Sequence, residues 1–259
     1  MTRHRRRRLK LKSLYVWHRW LGVAAALWVL VLSATGIALN HTEELALDSR
    51  PVHWAWLQDA YGIRIPEAVP AFRVGNRWLS QWGDQLYLDT RPVARLAEPL
   101  AGAAAVDGII VAASARKVLL LTPAGELVEA LGPAQGVPRG IRALGLDGEG
   151  HVVVEAGDGL HRTDAQFTTW HGTDKPPLRW AGSEPLPPHL ARAVAPRYRA
   201  ALLSAERVLL DLHSGRLLGR AGVLMSDAVA VILILLAASG TFLWYRQIRR
   251  RRSGGRRWE

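Results

Sequence analysis

Nine histidines and no cysteine delimit the chemistry open to this 259-residue chain. Disulfides, thiolate metal sites and a thiol nucleophile are excluded. Imidazole remains as a metal ligand and as the side chain that changes charge near neutral pH. Three histidines stand out by position: His18 in WHRW enters an apolar run, His41 closes it, and His213 in DLHSG lies ten residues before a second run. His41 and His213 form the best pair for holding one metal centre, because antiparallel helices would bring those two ends together. His18 lies roughly 34 Å from His41 along a straight helix, so one centre cannot use both. Its partner would have to come from a second copy or another subunit. Each also has a plainer reading, with His41 as a helix cap, His213 in a hairpin turn and His18 beside Arg19 among headgroups.

Other candidates are fewer. Glu43 and Glu44 beside His41 are either contacts for iron or a cationic partner, or solvated loop acids. Asp227, one turn into the second run, is either a proton or hydrogen-bond acceptor or an ordinary helix N-terminal acid. His151, His161, His171 and His189 are scattered at no metal-ligand spacing, and GDGL and GLDGEG read as turns rather than phosphate loops.

The elements that position these residues begin with Tyr15 to His41, uncharged from Leu21 to Leu39, and Val223 to Tyr245. Each is close to the roughly 20 helical residues needed to cross a hydrocarbon core. The first is too long for a signal-peptide apolar region and ends in no small-x-small cleavage site, so it is expected in the mature protein. Stepping from His18 through Gly22, Ala26, Val29, Ser33, Gly36 and Asn40 gives a mostly small stripe. Gly219, Gly222, Ser226, Ala230, Ala237 and Gly240 give another, so the two helices are expected to pack face to face.

Charge is segregated. Residues 1–12 carry seven Lys/Arg and no acid, and residues 246–259 carry seven Arg against Glu259, within a net charge of +12. The remainder is near neutral, which leaves no basic domain for nucleic acid. Basic residues flanking apolar spans set orientation instead, and both termini are expected to be cytoplasmic. From about Phe72 to Leu218 the pattern changes to short apolar runs between Gly, Asp and Pro, the mark of strands and turns. Ser114–Val128 (SARKVLLLTPAGELV) matches Ser204–Leu218 (SAERVLLDLHSGRLL) without gaps, and Gly157–Trp170 is a weaker copy. Hairpins recurring in this way predict a blade-like β unit with too few copies for a full propeller, hence a small antiparallel sheet or sandwich. Around Pro196, LARAVAPRYRA predicts one short, interrupted helix.

The expected architecture is an α+β membrane protein. It comprises a basic cytoplasmic tail (1–13), transmembrane helix 1 (14–40), a mainly β hairpin-repeat domain outside the membrane (41–218), transmembrane helix 2 (219–245) and a second basic tail (246–259).

WHRWLG, SATGIALNH, DLHSGRLLG and LAASGTFLWYR together resemble the PepSY-associated transmembrane helix family of bacterial inner-membrane proteins. The likeness covers the two apolar runs and their flanks. Larger relatives with four membrane helices include siderophore-linked iron reductases that hold b-type haem on helix histidines. The resemblance therefore implies haem-dependent electron transfer or iron uptake at the bacterial inner membrane. Haem b between helices uses one or two neutral imidazoles, with Gly or Ala where the porphyrin crosses a helix. His41, His213 and His18 are the candidate ligands, and a homodimer or membrane partner subunit would complete a four-helix core. The second expectation is a non-enzymatic sensor or accessory subunit whose β domain binds a periplasmic ligand or partner.

Overall fold

The computed structural model describes residues 2–254, with side chains over 15–249, so the expected basic tails lie largely outside the described side chains. The chain forms two compact units. One is built from the stretch up to Val52 together with the stretch from Leu203 onward, and the other is His53–Leu202.

The first unit is helical. Helix α1 (Thr2–Asn40) and helix α5 (Gly219–Gly254) pack against each other, and α4 (Ala205–His213) packs on α1. Tyr15–Asn40 and Arg216–Arg249 are long and apolar enough to cross a membrane. The buried or half-buried positions of α1, over the residues with described side chains, are 18, 21–22, 25, 28–29, 31–32, 35–36 and 38–39, and those of α5 include 222, 226, 229, 232–233, 236, 239–240 and 243. Both series advance by about 3.5 residues, the spacing of side chains interlocked in a left-handed helix pair. The stripe expected from steps of four and three is therefore corrected. Ala26, Ser33 and Asn40 of α1, and Ala230 and Ala237 of α5, face outward, while Ala25, Leu32 and Thr35 take the seam.

The expectation of a strand and turn over Ser204–Leu218 is also overturned. Ala205–His213 is helical, Ser204 is its N-cap and accepts from the Arg207 amide, and Arg207 pairs with Asp211 one turn on. The chain at 47–52 satisfies further backbone donors at this end. Leu47 O accepts from Glu206 N and Arg50 O from Ala205 N, while Pro51 bridges Ser204. Capping of this kind selects helix for a short apolar run whose composition fits strand as well.

The second unit holds short α2 (Ala55–Ala60), thirteen strands and α3 (Pro188–Ala201). The expected domain limits of 41–218 narrow accordingly, with strands running only from Ala71 to Trp180. Blade 1 is an antiparallel meander of β1 (Ala71–Val74), β2 (Arg77–Trp82), β3 (Gln85–Leu88) and β4 (Arg91–Arg95). Blade 2 repeats it with β5 (Leu100–Val106), β6 (Ile109–Ser114), β7 (Val118–Leu121) and β8 (Leu127–Leu131). Blade 3 has β9 (Ala143–Leu146), β10 (Val152–Ala156), β11 (Gly159–Thr163) and β12 (Trp170–Gly172), and β13 (Arg179–Trp180) adds to the free edge of β9. Strands β1, β5 and β9 are the first of each blade and pack side by side.

Blade 2 explains the packing. Ile110, Ala112, Leu119 and Leu121 pack with blade 1, whereas Val111, Ala113, Val118 and Leu120 pack with blade 3. Alternate side chains leave opposite faces of a strand, so a sheet buried on both faces must read as a continuous apolar run, as GIIVAA and KVLLL do. The outer face of blade 1 is covered by α3, where Trp82, Tyr87 and Val194 are buried with Tyr198 beside them. That helix continues through Pro196 instead of breaking there. The β6 hairpin turns on Asp107–Gly108, both at positive φ, the conformation that a two-residue hairpin requires.

Blades 1 and 2 are joined through Gln81, which is 6% exposed. Its amide donates to Leu96 O (2.9 Å) and Glu98 O (3.0 Å), and its carbonyl accepts from Leu100 N (2.7 Å). On the same linker, Glu98 accepts from Arg116 and Ser114, which hold its carboxyl below its usual range despite partial desolvation. Replacing Gln81 by Leu strands three backbone groups, two of them acceptors. The variant is expected to lose ~2–3 kcal/mol of stability, read as a lower midpoint for loss of the β circular-dichroism signal.

In blade 3, Asp164 closes the β11–β12 turn by accepting from the hydroxyls and amides of Thr168 and Thr169. The Thr168 hydroxyl is the main cause that lowers its carboxyl to about 2. Because the folded value lies below the unfolded one, this carboxylate stabilises the turn above about pH 4, and the effect fades as pH falls through about 2. Asp164→Asn is therefore expected to lower thermal stability at pH 7 and to match the parent near pH 1.5, as a paired melting series would show.

Candidate functional site

The helical unit sets two imidazoles into matching surroundings. His213, the last residue of α4, places Nδ1 2.8 Å from Thr35 Oγ1 on α1. The next residue, Gly36, lies against the ring, since a Cβ there would come within 3.4 Å of His213 Cε1. At the other end of the helix pair, His18 of α1 places Nδ1 2.9 Å from Ser239 Oγ on α5. There Gly240 lies against the ring, again with a notional Cβ at 3.4 Å from Cε1. A hydroxyl followed by glycine thus receives each imidazole, and the exchange is reciprocal across α1.

Thr35 Oγ1 also lies 2.7 Å from Val31 O, and Ser239 Oγ lies 3.2 Å from Leu236 O. When the hydroxyl hydrogen goes to the helix carbonyl, the oxygen accepts from Nδ1–H and the ring offers its Nε2 lone pair; when it goes to Nδ1, the ring carries its proton on Nε2. Among the described residues nothing hydrogen-bonds to Nε2 of either ring. Metal-ligating histidines are held in this way, by a partner at the other nitrogen that selects tautomer and orientation.

His41 is placed differently. It lies in the turn after α1, 57% exposed at its side chain, with Nδ1 3.4 Å from Glu44 Oε2. The His213 ring meets Thr35 and Gly36, six residues before His41 and about 9 Å along a helix axis. The structure therefore does not join His41 to His213. His18 and His213 are also apart, separated by the roughly 25 Å of helix between residues 18 and 35. Asp227 is exposed on α5, so Thr35, not an acid, orients His213.

Glycine also forms the turn that delivers His213. Gly215 adopts φ 76°, and a Cβ at Gly222 would strike the Gly215 carbonyl, so the chain after α4 lies directly on the first turns of α5. Asp211, 4% exposed and two residues before His213, is held by Arg207 at 2.9 Å.

One further constellation was not visible in residue spacing. Asp147, Glu149 and His151 bring ligand atoms within 4.8 Å of one another on the β9–β10 turn. The Arg162 guanidinium already fills this cluster, donating to Asp147 Oδ2 (2.7 Å), to Glu149 and to His151 Nδ1 (2.7 Å). Burial would raise the Asp147 carboxyl, but amides of His151 and Glu149 together with Arg162 hold it below its ordinary value. The arrangement is a closed ion-pair network rather than an open metal site.

No family model matches the chain, and no curated protein matches it in sequence. The functional reading rests on the site itself.

The ring tautomer has a direct spectroscopic readout. Nitrogen-15 spectra of the protein are expected to show the His213 proton on Nδ1, the arrangement that a metal at Nε2 requires. Thr35→Val should shift the ring toward the Nε2-protonated tautomer, with little change at His18.

Proposed function

We propose that this protein is a two-span bacterial inner-membrane protein with both termini cytoplasmic and its β unit periplasmic, working in haem-b-linked electron transfer that supports iron or siderophore handling. The carrying observation is the duplicated imidazole–hydroxyl–glycine arrangement at His213 and His18. Each ring meets a hydroxyl at Nδ1, the contact that can hold the proton there and leave Nε2 for a metal, and each closes on a glycine backbone. The donor set fits haem iron: neutral nitrogen, no thiolate, and no competing carboxylate at either ring. When bound, haem b would supply a one-electron couple whose potential depends on the axial imidazoles and their hydrogen bonds.

The chain's own residues do the positioning. Thr35 and Ser239 orient the rings, and Gly36 and Gly240 let each imidazole close on the helix backbone. The outward faces of the helices exclude water if lipid covers them. Leu27 is 73% exposed and Ile234 68%, an apolar surface that suits a bilayer and not water. Each chain supplies one imidazole at each level, so a second copy packed about a two-fold axis would bring a second to both. This agrees with the resemblance to larger four-helix relatives. The accessory or sensor reading has separate support in the cleft of the β unit described below.

The test is the reduced-minus-oxidised visible spectrum of protein purified from haem-replete cells, with haem counted by pyridine haemochrome. A b-type α-band is expected. His213→Ala and His18→Ala should each remove about half of it, and His41→Ala should leave most of it. A colourless protein would overturn the proposal, and a band lost in His41→Ala but kept in His18→Ala would return the ligand pair to His41 and His213.

A further inference from the structure

The first strands of the three blades converge on a cleft of about 320 Å³, within the range of small-molecule sites. Arg73 of β1 and Gly75 just after it, Arg179 and Trp180 of β13, and Glu184 line it. Ala103, Ala104 and Ala105 of β5 with Gly145 of β9 complete the lining. These small residues make the cleft. Gly145 in particular admits β13, since a Cβ there would lie 2.7 Å from Arg179 O and from Pro177.

The charges are open. Most other arginines of this unit with described polar contacts meet a carboxylate or carbonyl: Arg77 with Asp89, Arg116 with Glu98, Arg162 with Asp147, Arg199 with Asp59. Arg73 and Arg179 form no ion pair among the described residues, although Glu184 lines the same cleft. Two arginines lining one cleft offer forked donors matched to carboxylate or phosphate oxygens. Trp180, 38% exposed, adds an apolar residue to the lining. Glu184 disfavours a ligand that is anionic throughout and favours one that carries a hydroxyl or other donor.

We propose that this cleft binds a small organic anion with at least two carboxylate or phosphate groups and a hydrogen-bond donor, held between Arg73 and Arg179. The proposal is independent of the haem reading, because it concerns residues of the β unit alone.

The experiment is isothermal titration of the full-length protein in detergent, with citrate as the hydroxycarboxylate probe and inorganic phosphate as the alternative anion. Citrate binding that weakens with salt is expected. Arg73→Gln and Arg179→Gln should each reduce affinity about tenfold, Arg142→Gln, outside the cleft, should not, and Glu184→Gln should tighten binding. The gain in the last variant cannot arise from misfolding. Phosphate binding with the same arginine dependence, in place of citrate, supports the cleft and assigns it to phosphate esters. Absence of binding by either anion at millimolar concentration, or binding indifferent to both arginine substitutions, overturns the proposal.

Discussion

The 3.5-residue seam between α1 and α5 is the constraint on which the candidate site depends. It turns Thr35 and Gly36 toward α4 at one end and His18 toward Ser239 and Gly240 at the other. A helix advances about 100° per residue, so moving the seam by one position would carry both hydroxyls away from their imidazoles. Leucine, valine and alanine hold the register, notably Ala25, Val229 and Leu243, all under 9% exposed. Neither polar contact is needed to make the helices pack. The apolar seam specifies the geometry, and the two hydrogen bonds use it.

The β unit follows a different rule. A single four-stranded meander cannot bury both faces, so three copies stack and the middle one becomes apolar on both sides. The stack leaves two end faces. Helix α3 covers that of blade 1 with Val194 and Tyr198, and blade 3 carries the Asp147–Arg162–His151 network. The first strands meet where small residues leave the cleft between Arg73 and Arg179. Blade stacking, and no catalytic motif in the sequence, thus creates the one place in this unit with unpaired guanidiniums lining a shared cavity among the described residues.

Much of this was legible in residue order. The two long apolar helices, the strands RWLSQW, QLYL, GIIVAA, KVLLL and HVVVEA, and the blade-like repetition all stand where alternation and turn residues place them. The repeat was read in the wrong partner. The strong match between Ser114–Val128 and Ser204–Leu218 joins a hairpin to a helix, whereas the weak copy at Gly157–Trp170 occupies the equivalent hairpin of the next blade. Seven shared residues say little when Leu and Val suit either structure. What decided was Ser204 as N-cap, the Arg207–Asp211 pair and the backbone acceptors at Leu47 and Arg50. The last two lie about 155 residues earlier in the chain, beyond any local pattern. The dipeptides Thr35–Gly36 and Ser239–Gly240 were visible, but their hydroxyls had no assigned role. Their mirrored order around His213 and His18 was the available signal.

The case for a cofactor rests on unmet valence more than on the number of histidines. A lone histidine on a half-buried helix face is ordinary when both ring nitrogens are satisfied. Here Nδ1 meets a hydroxyl at both rings, while among the described residues Nε2 has no hydrogen-bond partner at either end. Two further polar atoms of the same unit, Trp28 Nε1 and Ser226 Oγ, are buried without a hydrogen-bond partner. In water such groups find solvent, but in hydrocarbon an unpartnered polar atom costs several kcal/mol. If lipid surrounds this pair, the Nε2 atoms of His18 and His213 call for a metal or a hydrogen-bond partner from another chain. The first requires iron at two levels of the membrane and the second requires only protein. They differ in one respect: a protein partner can meet either ring tautomer, as donor to one and acceptor to the other, whereas iron requires the Nε2 lone pair and therefore the proton on Nδ1.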